Sequence, residues 1–359
     1  MRTRTRSSLL ATGALVLAVL AAGCGSSTDD KPLAADELRG STIVVASHDS
    51  WAMSDDVMAK FTEQTGIKVK IATNGDAGAL TNKLVLTKDD PIADGVYGID
   101  NTFATRAIDE DVLTQYAPLV SPAAIAPFRL EGQTKSFLTP VDYSDVCFNV
   151  DDAWFAENKV TPPATLDDLV LPKYKGLTVV PGASTSSPGL AFLLATIGAY
   201  GEDGWKGYWQ KLLDNEVKID AGWSDAYEVD FSAGGGKGDR PIVLSYSSSP
   251  PFTIPEGGTK PTTSALLDTC FRQVEYAGVL KGAKNPIGMQ KFIDFMIGDD
   301  FQAALPDNMF VYPVNTAIKL PAGWAEYAPT AKKPISVPAA DITKNRTAWL
   351  RDWRDLTTR

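Results

Sequence analysis

Apolar and polar positions along the chain fall into two successive strand-helix series. Thr42 to Ser47 (TIVVAS) is a continuous apolar run between polar residues, the pattern of a parallel strand buried on both faces. From Asp55 to Thr65, Val57, Met58 and Phe61 share one helical face, and Gly66 stops the helix. Ile67, Val69 and Ile71 alternate as in a strand, Leu80 and Leu84 mark another helix, and Val96 to Ile99 forms a third strand. This β-α-β-α-β order predicts an open parallel sheet with its ligand crevice at the carboxyl ends of the strands. His48, Asp49, Ser50 and Trp51 follow the first strand, and Asp100 and Asn101 the third.

A second α/β series begins after Asp142. Leu177 to Val180 is a short strand, and Pro188 to Tyr200 is a helix so apolar that it must be buried. Trp205, Tyr208, Trp209, Leu212 and Leu213 are spaced for one helix face. Val217 to Asp220 and Pro241 to Tyr246 read as strands. Pro334 to Pro338 leads into a final amphipathic helix with Trp349, Leu350 and Trp353 on its apolar side. Gly234-Gly235-Gly236-Lys237-Gly238 suggests a phosphate loop, but the Walker spacing needs glycine where Phe231 stands, so the segment reads as a turn. Val141 to Val150 and Cys270 to Ala277 read as two strands crossing between the series. The 359 residues suit two domains rather than one core, so the expectation is two α/β lobes around a cleft.

The start of the chain sets its address. Arg2, Arg4 and Arg6 precede an apolar run, Leu9 to Leu20, too short to span a bilayer of ~30 Å. Leu20-Ala21-Ala22-Gly23-Cys24 then resembles the lipobox of bacterial lipoproteins, with Leu one place early and Ala21 in its position. Cys24 is the expected lipidation site, and the polar stretch from Gly25 to Lys31 a flexible tether. An exported, membrane-tethered chain follows.

Charge and composition remove several classes. Lys plus Arg is 34 against 44 for Asp plus Glu, and without the three leader arginines the balance moves from -10 to -13. Nucleic acid is a poor partner for such a surface. The single histidine, His48, rules out sites built on two imidazoles. Three cysteines without a CxxC rule out zinc ribbons and thioredoxin-type motifs. In an oxidising compartment, Cys147 and Cys270 on the two crossing strands are expected as a disulfide rather than as buried thiols.

Five segments narrow the function: Gly98-Ile99-Asp100-Asn101, Ser186-Ser187-Pro188-Gly189-Leu190, Gly222-Trp223-Ser224-Asp225-Ala226-Tyr227, Leu244 to Pro250 (LSYSSSP), and Tyr312-Pro313-Val314-Asn315. In order and spacing, from about Thr42 to Trp353, the chain resembles the thiamine-binding proteins of bacterial ABC importers. These lie within the type II extracytoplasmic solute-binding proteins. The resemblance implies a two-lobed α/β type II periplasmic-binding-protein-like fold, hinged by two crossover strands. It also implies delivery to ABC transporter membrane subunits, with no cofactor and no metal, by a monomer.

Thiamine joins a cationic thiazolium to an aminopyrimidine, with a hydroxyethyl tail that can carry phosphate. It asks for aromatic faces, a carboxylate and small donors. The residues that the resemblance assigns to the ligand are Asp76, Ala77, Ser186, Ser187, Trp223, Tyr246, Ser247, Ser248 and Ser249, with His48, Phe252 and Phe310 as aromatic neighbours. Read without it, Asp76 is an ordinary loop acid, Ser186-Ser187 a plain helix cap and Trp223 a core residue. With Pro188 behind them, the two serines equally suit a hydroxyl or phosphate oxygen at a helix start. The chain departs from better-known members by carrying His48, Phe252 and Phe310 for Tyr, Tyr and Trp. A shorter loop leaves Trp51 as the one substitute for a further aromatic. Phenyl faces stack without donating hydrogen bonds, and a protonated His48 would repel a cation.

The expected boundaries are 1–24 for the signal peptide, 25–40 for the tether, 41–140 and 267–359 for the first lobe, and 141–266 for the second. Competing solutes are ferric iron, a polyamine or another heterocycle. Iron-binding relatives use a tandem tyrosine pair where this chain has Tyr246-Ser247. An exported serine hydrolase is the remaining class, without a GxSxG elbow and with His48 as its only base.

Overall fold

The computed structural model describes residues 38–119, 122–236 and 238–358. The expected signal peptide with Cys24, the expected tether up to residue 37, and Lys237 lie outside the described residues.

Among the described residues eleven strands make one mixed sheet. They are β1 (Thr42–Ser47), β2 (Lys68–Thr73), β3 (Gly95–Asp100), β4 (Leu113–Thr114), β5 (Thr139–Asp151), β6 (Thr178–Pro181), β7 (Lys218–Asp220), β8 (Ile242–Tyr246), β9 (Thr263–Ala265), β10 (Phe271–Leu280) and β11 (Tyr312–Pro313). Their spatial order is β2-β1-β3-β10-β5-β8-β6-β7, with β4 beside β10 and with β9 and β11 beside β5. β1 is parallel to β2 and β3, and β6 is parallel to β7 and β8, the two halves that the apolar runs predict.

The halves meet on two long antiparallel strands. β10 pairs with β3 from Glu275 to Val279 and with β5 from Phe271 to Ala277. β5 turns its later residues, Val146 to Val150, to β8. These are the predicted crossing strands. Cys147 and Cys270 form the expected disulfide, their Cα atoms 4.3 Å apart. Arg272 of β10 forms an ion pair with the wholly buried Asp145 opposite it on β5. Together these links tie the crossing strands where the sheet changes hands.

Apolar side chains fill both sides of this frame. Ile43, Val45, Phe61, Tyr97, Phe292 and Phe301 pack around the first half. Phe148, Phe192, Trp205, Trp209 and Leu244 pack around the second. Helix Asp55–Thr65 ends at Gly66 with φ +76°. Helix Ser187–Asp214 breaks at Gly201, so the predicted buried helix and the Trp205 face are its two arms. The final helix, Ala339–Thr357, lies on the second arm. Its Trp353 meets Trp209 edge-on at 5.5 Å, and Trp349 Nε1 donates to Glu202 at 3.0 Å. No described helix is long and apolar enough to cross a membrane.

Candidate functional site

A cavity of about 300 Å³ opens where the carboxyl ends of β1 and β8 face one another. One wall carries His48, Asp49, Trp51, Asp76 and Glu275; the other carries Ser187, Trp223, Tyr227, Tyr246 and Ser249. Phe252 and Phe310 also line it. Four carboxylates (Asp49, Asp76, Glu228 and Glu275) and one imidazole face the space, with no Lys or Arg among the lining residues.

Asp76 crosses the cleft. It begins helix Ala77–Leu86, where Oδ1 accepts from Ala77 N at 2.6 Å. The same oxygen accepts from Ser187 N at 3.4 Å, and Oδ2 accepts from Trp223 N at 3.1 Å. The carboxylate therefore sits at the start of the long Ser187 helix, where exposed amides favour negative charge. Ser186 occupies the cap position without a side-chain cap bond, and the hydroxyls of Ser186 and Ser187 are buried without partners. The plain serine cap is thus replaced by an acid from the opposite wall. Gly78 permits the approach, because a Cβ there would meet the Thr185 carbonyl at 2.8 Å.

On the second wall Trp223 stacks on Tyr227 at 4.9 Å and 13°, with Tyr246 at 6.3 Å. Trp223 Nε1 donates to Ser245 Oγ at 2.9 Å, and Ser245 is joined at 2.9 Å to Ser249. Trp223 is held through its backbone nitrogen and its indole nitrogen, and it lines the cavity rather than the core. A π-helical turn, Asp225–Asp230, carries Tyr227 and Glu228 to the cavity. Such turns recur at functional sites.

The first wall is charged. His48 Nε2 lies 3.5 Å from Glu275 Oε1, an ion-pair distance, and has no hydrogen-bond partner. Tyr97 OH donates to Asp142 at 2.7 Å and lies 3.2 Å from Glu275 Oε2. Burial pulls the His48 imidazole down, but Glu275, Asp76 and Asp49 outweigh it, and the net direction is up. Burial likewise pushes Glu275 up, and the charge of His48 brings it below the usual range. Asp142 is raised well above the carboxylate range by burial and by Glu275, the opposite direction from that neighbour.

Eight of the twelve predicted ligand residues line the cavity: His48, Asp76, Ser187, Trp223, Tyr246, Ser249, Phe252 and Phe310. Ala77, Ser186, Ser247 and Ser248 do not, and all four are buried. Ser248 bonds to Ser144 at 2.9 Å instead, while the amide of Ser247 bonds to Asp145 O at 2.8 Å. Phe252 and Phe310 lie on each other, ring centroids 3.4 Å apart. Trp51 lines the cavity, as its substitute role requires, edge-on to Tyr97 at 5.1 Å. Asp100 and Asn101, placed at the crevice by the strand order, turn away. Asp100 accepts from Thr102 and Phe103, its carboxyl raised to about 7 by burial, and Asn101 bonds to β10. Sequence reasoning missed Glu275, Tyr227 and Glu228. The Tyr227 signal was the Gly-Trp-Ser-Asp-Ala-Tyr segment itself, whereas Glu275 stood in a strand read only as a crossing.

Residues 56–332 match the family of bacterial extracellular solute-binding proteins, and the chain belongs to it. It is 29% identical to the thiamine-binding periplasmic protein of Brucella suis biovar 1 (strain 1330), over 89% of this chain and 92% of that one. A solved periplasmic thiamin binding protein superposes with a TM-score of 0.77 at 28% identity, covering 89% of this chain and 96% of that one. The periplasmic binding protein AfuA from Actinobacillus pleuropneumoniae shares the fold at a TM-score of 0.73 and 17% identity, over 88% of this chain and 98% of its own. The architecture is the type II periplasmic binding fold.

Proposed function

We propose that this protein captures thiamine, free or phosphorylated, between its lobes and delivers it to the membrane subunits of an ABC importer, without covalent chemistry. The observation that carries this reading is a cavity with four carboxylates and no Lys or Arg, bounded by the Trp223-Tyr227-Tyr246 aromatic group. A desolvated ring cation gains from both, ~2 kcal/mol or more for an aromatic contact alone. The thiamine-binding relatives point the same way. Asp76, Trp223 and Tyr246 contact the rings, and Ser187 and Ser249 the hydroxyethyl tail. Ala77, Ser186, Ser247 and Ser248 act by holding these in place. The lobes are 41–140 with 267–359, and 141–266, and they close on the ligand about β5 and β10. A lipid on Cys24 tethers the chain outside the cytoplasm.

The tandem tyrosine pair of iron-binding relatives is here Tyr246-Ser247, with Ser247 outside the cavity lining, which counts against ferric iron as cargo. The hydrolase reading is less well supported, since the one nearby base, His48, has its Nε2 beside Glu275 at 3.5 Å rather than a serine hydroxyl. A polyamine shares the attraction to acids but makes less use of a flat aromatic platform. Calorimetry with thiamine, its mono- and diphosphate and spermidine tests the assignment. Thiamine binding with no turnover supports it; tighter binding of spermidine than of every thiamine form sinks it.

A further inference from the structure

The four acids of the cavity are not equivalent. Asp49 and Glu228 are exposed and keep their hydration. Asp76 already receives three backbone N–H groups, two of them from the opposite wall. Glu275 is different: it is 7% exposed and faces the cavity, with a phenol at 3.2 Å, the Gln273 amide at 3.3 Å and the Asp142 carboxyl as hydrogen-bond neighbours. Its charge is met by one cation, His48, at 3.5 Å. His48 is committed to that place. Its ring lies over Gly98, where a Cβ would meet His48 Cδ2 at 2.1 Å, and Gly98 has φ +94°, so both space and backbone call for glycine there.

We propose that Glu275 is the specificity-determining carboxylate of the cleft, and that a cationic ligand replaces His48 as its counter-charge, with the imidazole losing one proton to solvent for each cation bound. The inference rests on the thiamine reading above. Two positive charges around one desolvated carboxylate repel each other strongly in a low-dielectric site. A thiazolium cannot shed its charge, whereas an imidazolium can, so the proton is what leaves. The other charged and titratable groups around His48 are Asp49 on its own loop, Asp76 at the start of the Ala77 helix, Tyr97 on β3, Glu275 on β10 and, beyond Tyr97, Asp142 on β5. Of these, the charges of Glu275, Asp76 and Asp49 favour the protonated imidazole in the empty cleft and raise its pKa. Below that pKa the ligand must displace the proton, so affinity falls as pH falls.

Thiamine is titrated into the exported protein at about pH 6.5 in two buffers of different ionisation enthalpy, and again at about pH 8, where an ordinary imidazole is neutral. The wild type is expected to release a proton on binding and to weaken towards acid pH, by at most about tenfold per pH unit for one proton exchanged. His48→Gln is expected to release none and to lose that dependence. At pH 8, Glu275→Gln should weaken thiamine by about thirtyfold while leaving the neutral hydroxymethyl-aminopyrimidine fragment within about twofold. If Glu275→Gln does not fold, the proton count of His48→Gln decides alone. Thiamine binding without proton release, or the same release from His48→Gln, overturns the inference and leaves the thiamine reading standing. A wild type that binds no thiamine removes both.

Discussion

The two walls of the cleft differ in chemistry, and in the proposed function they divide recognition between them. The first presents charge: His48, Asp49, Asp76 and Glu275. The second presents mainly ring faces and hydroxyls, Trp223, Tyr227, Tyr246, Ser187 and Ser249, with the exposed Glu228 beside them. Neither is a site alone. An aromatic platform without carboxylates does not distinguish a cation from a neutral ring, and carboxylates without a platform do not distinguish a flat cation from a hydrated metal ion. Asp76 shows how closely they depend on each other, since its two oxygens take amides from the second wall.

That dependence makes the connection between the walls the place where a single change costs most. Cys147 and Cys270 close a separation of 123 residues beside the crossing strands. Replacing both by alanine should lower unfolding free energy by ~2–5 kcal/mol, read by denaturant titration. A loss well under ~1 kcal/mol would mean that the Arg272-Asp145 pair and the strand ladder hold the frame unaided.

Within the walls, Trp223→Ala comes next. It removes a ring whose nitrogen is fixed to Ser245 and should weaken thiamine by at least about tenfold, ~1.4 kcal/mol, in calorimetry. Asp76→Asn keeps shape but removes charge and turns one of the two acceptor oxygens into an NH2 group facing a backbone N–H. It should weaken thiamine by several-fold, about 1 kcal/mol for a charge already met by amides, and should hardly affect the neutral pyrimidine fragment. Parent-like affinity in both variants, with the fold intact, would remove the division of labour and with it the proposed site.

The same contrast explains what could be read from the amino acids. The second wall lies in contiguous segments, Gly222 to Tyr227 and Leu244 to Pro250, so its members appear together in the sequence. The apolar runs of β1, β3 and β8 were legible for the same local reason, and the disulfide followed once two crossing strands were recognised. The first wall is assembled from β1, the Ala77 helix and β10, whose sequence positions lie far apart. Nothing near Glu275 indicates that His48, 227 positions away, will be its counter-ion. Nor does Ser186-Ser187-Pro188 reveal that the cap of its helix comes from Asp76, because that depends on how the lobes meet. Local pattern and the resemblance identify the platform, Asp76 and His48; only tertiary structure brings Glu275 to them.

The smallest expected effect lies at the rim, where Phe252 and Phe310 stack. Phe310 follows helix Asp299–Met309 with φ +61°, a left-handed conformation that costs a side-chain-bearing residue ~1 kcal/mol relative to glycine. Both rings remain more than one third exposed, so burial alone does not explain an aromatic residue at that strained position. The ring contact with Phe252 does. Phe310→Ala would lose the contact and keep the strain, whereas Phe310→Gly would lose both, so the glycine variant should be the more stable by about 1 kcal/mol in denaturant titration. If the pair only closes the mouth, both variants should weaken thiamine equally and modestly, by about threefold, within the range of one aromatic pair. A loss beyond about tenfold in both would put these rings on the ligand itself and extend the platform across the rim. Equal stability of the two variants would show that the left-handed turn carries no strain.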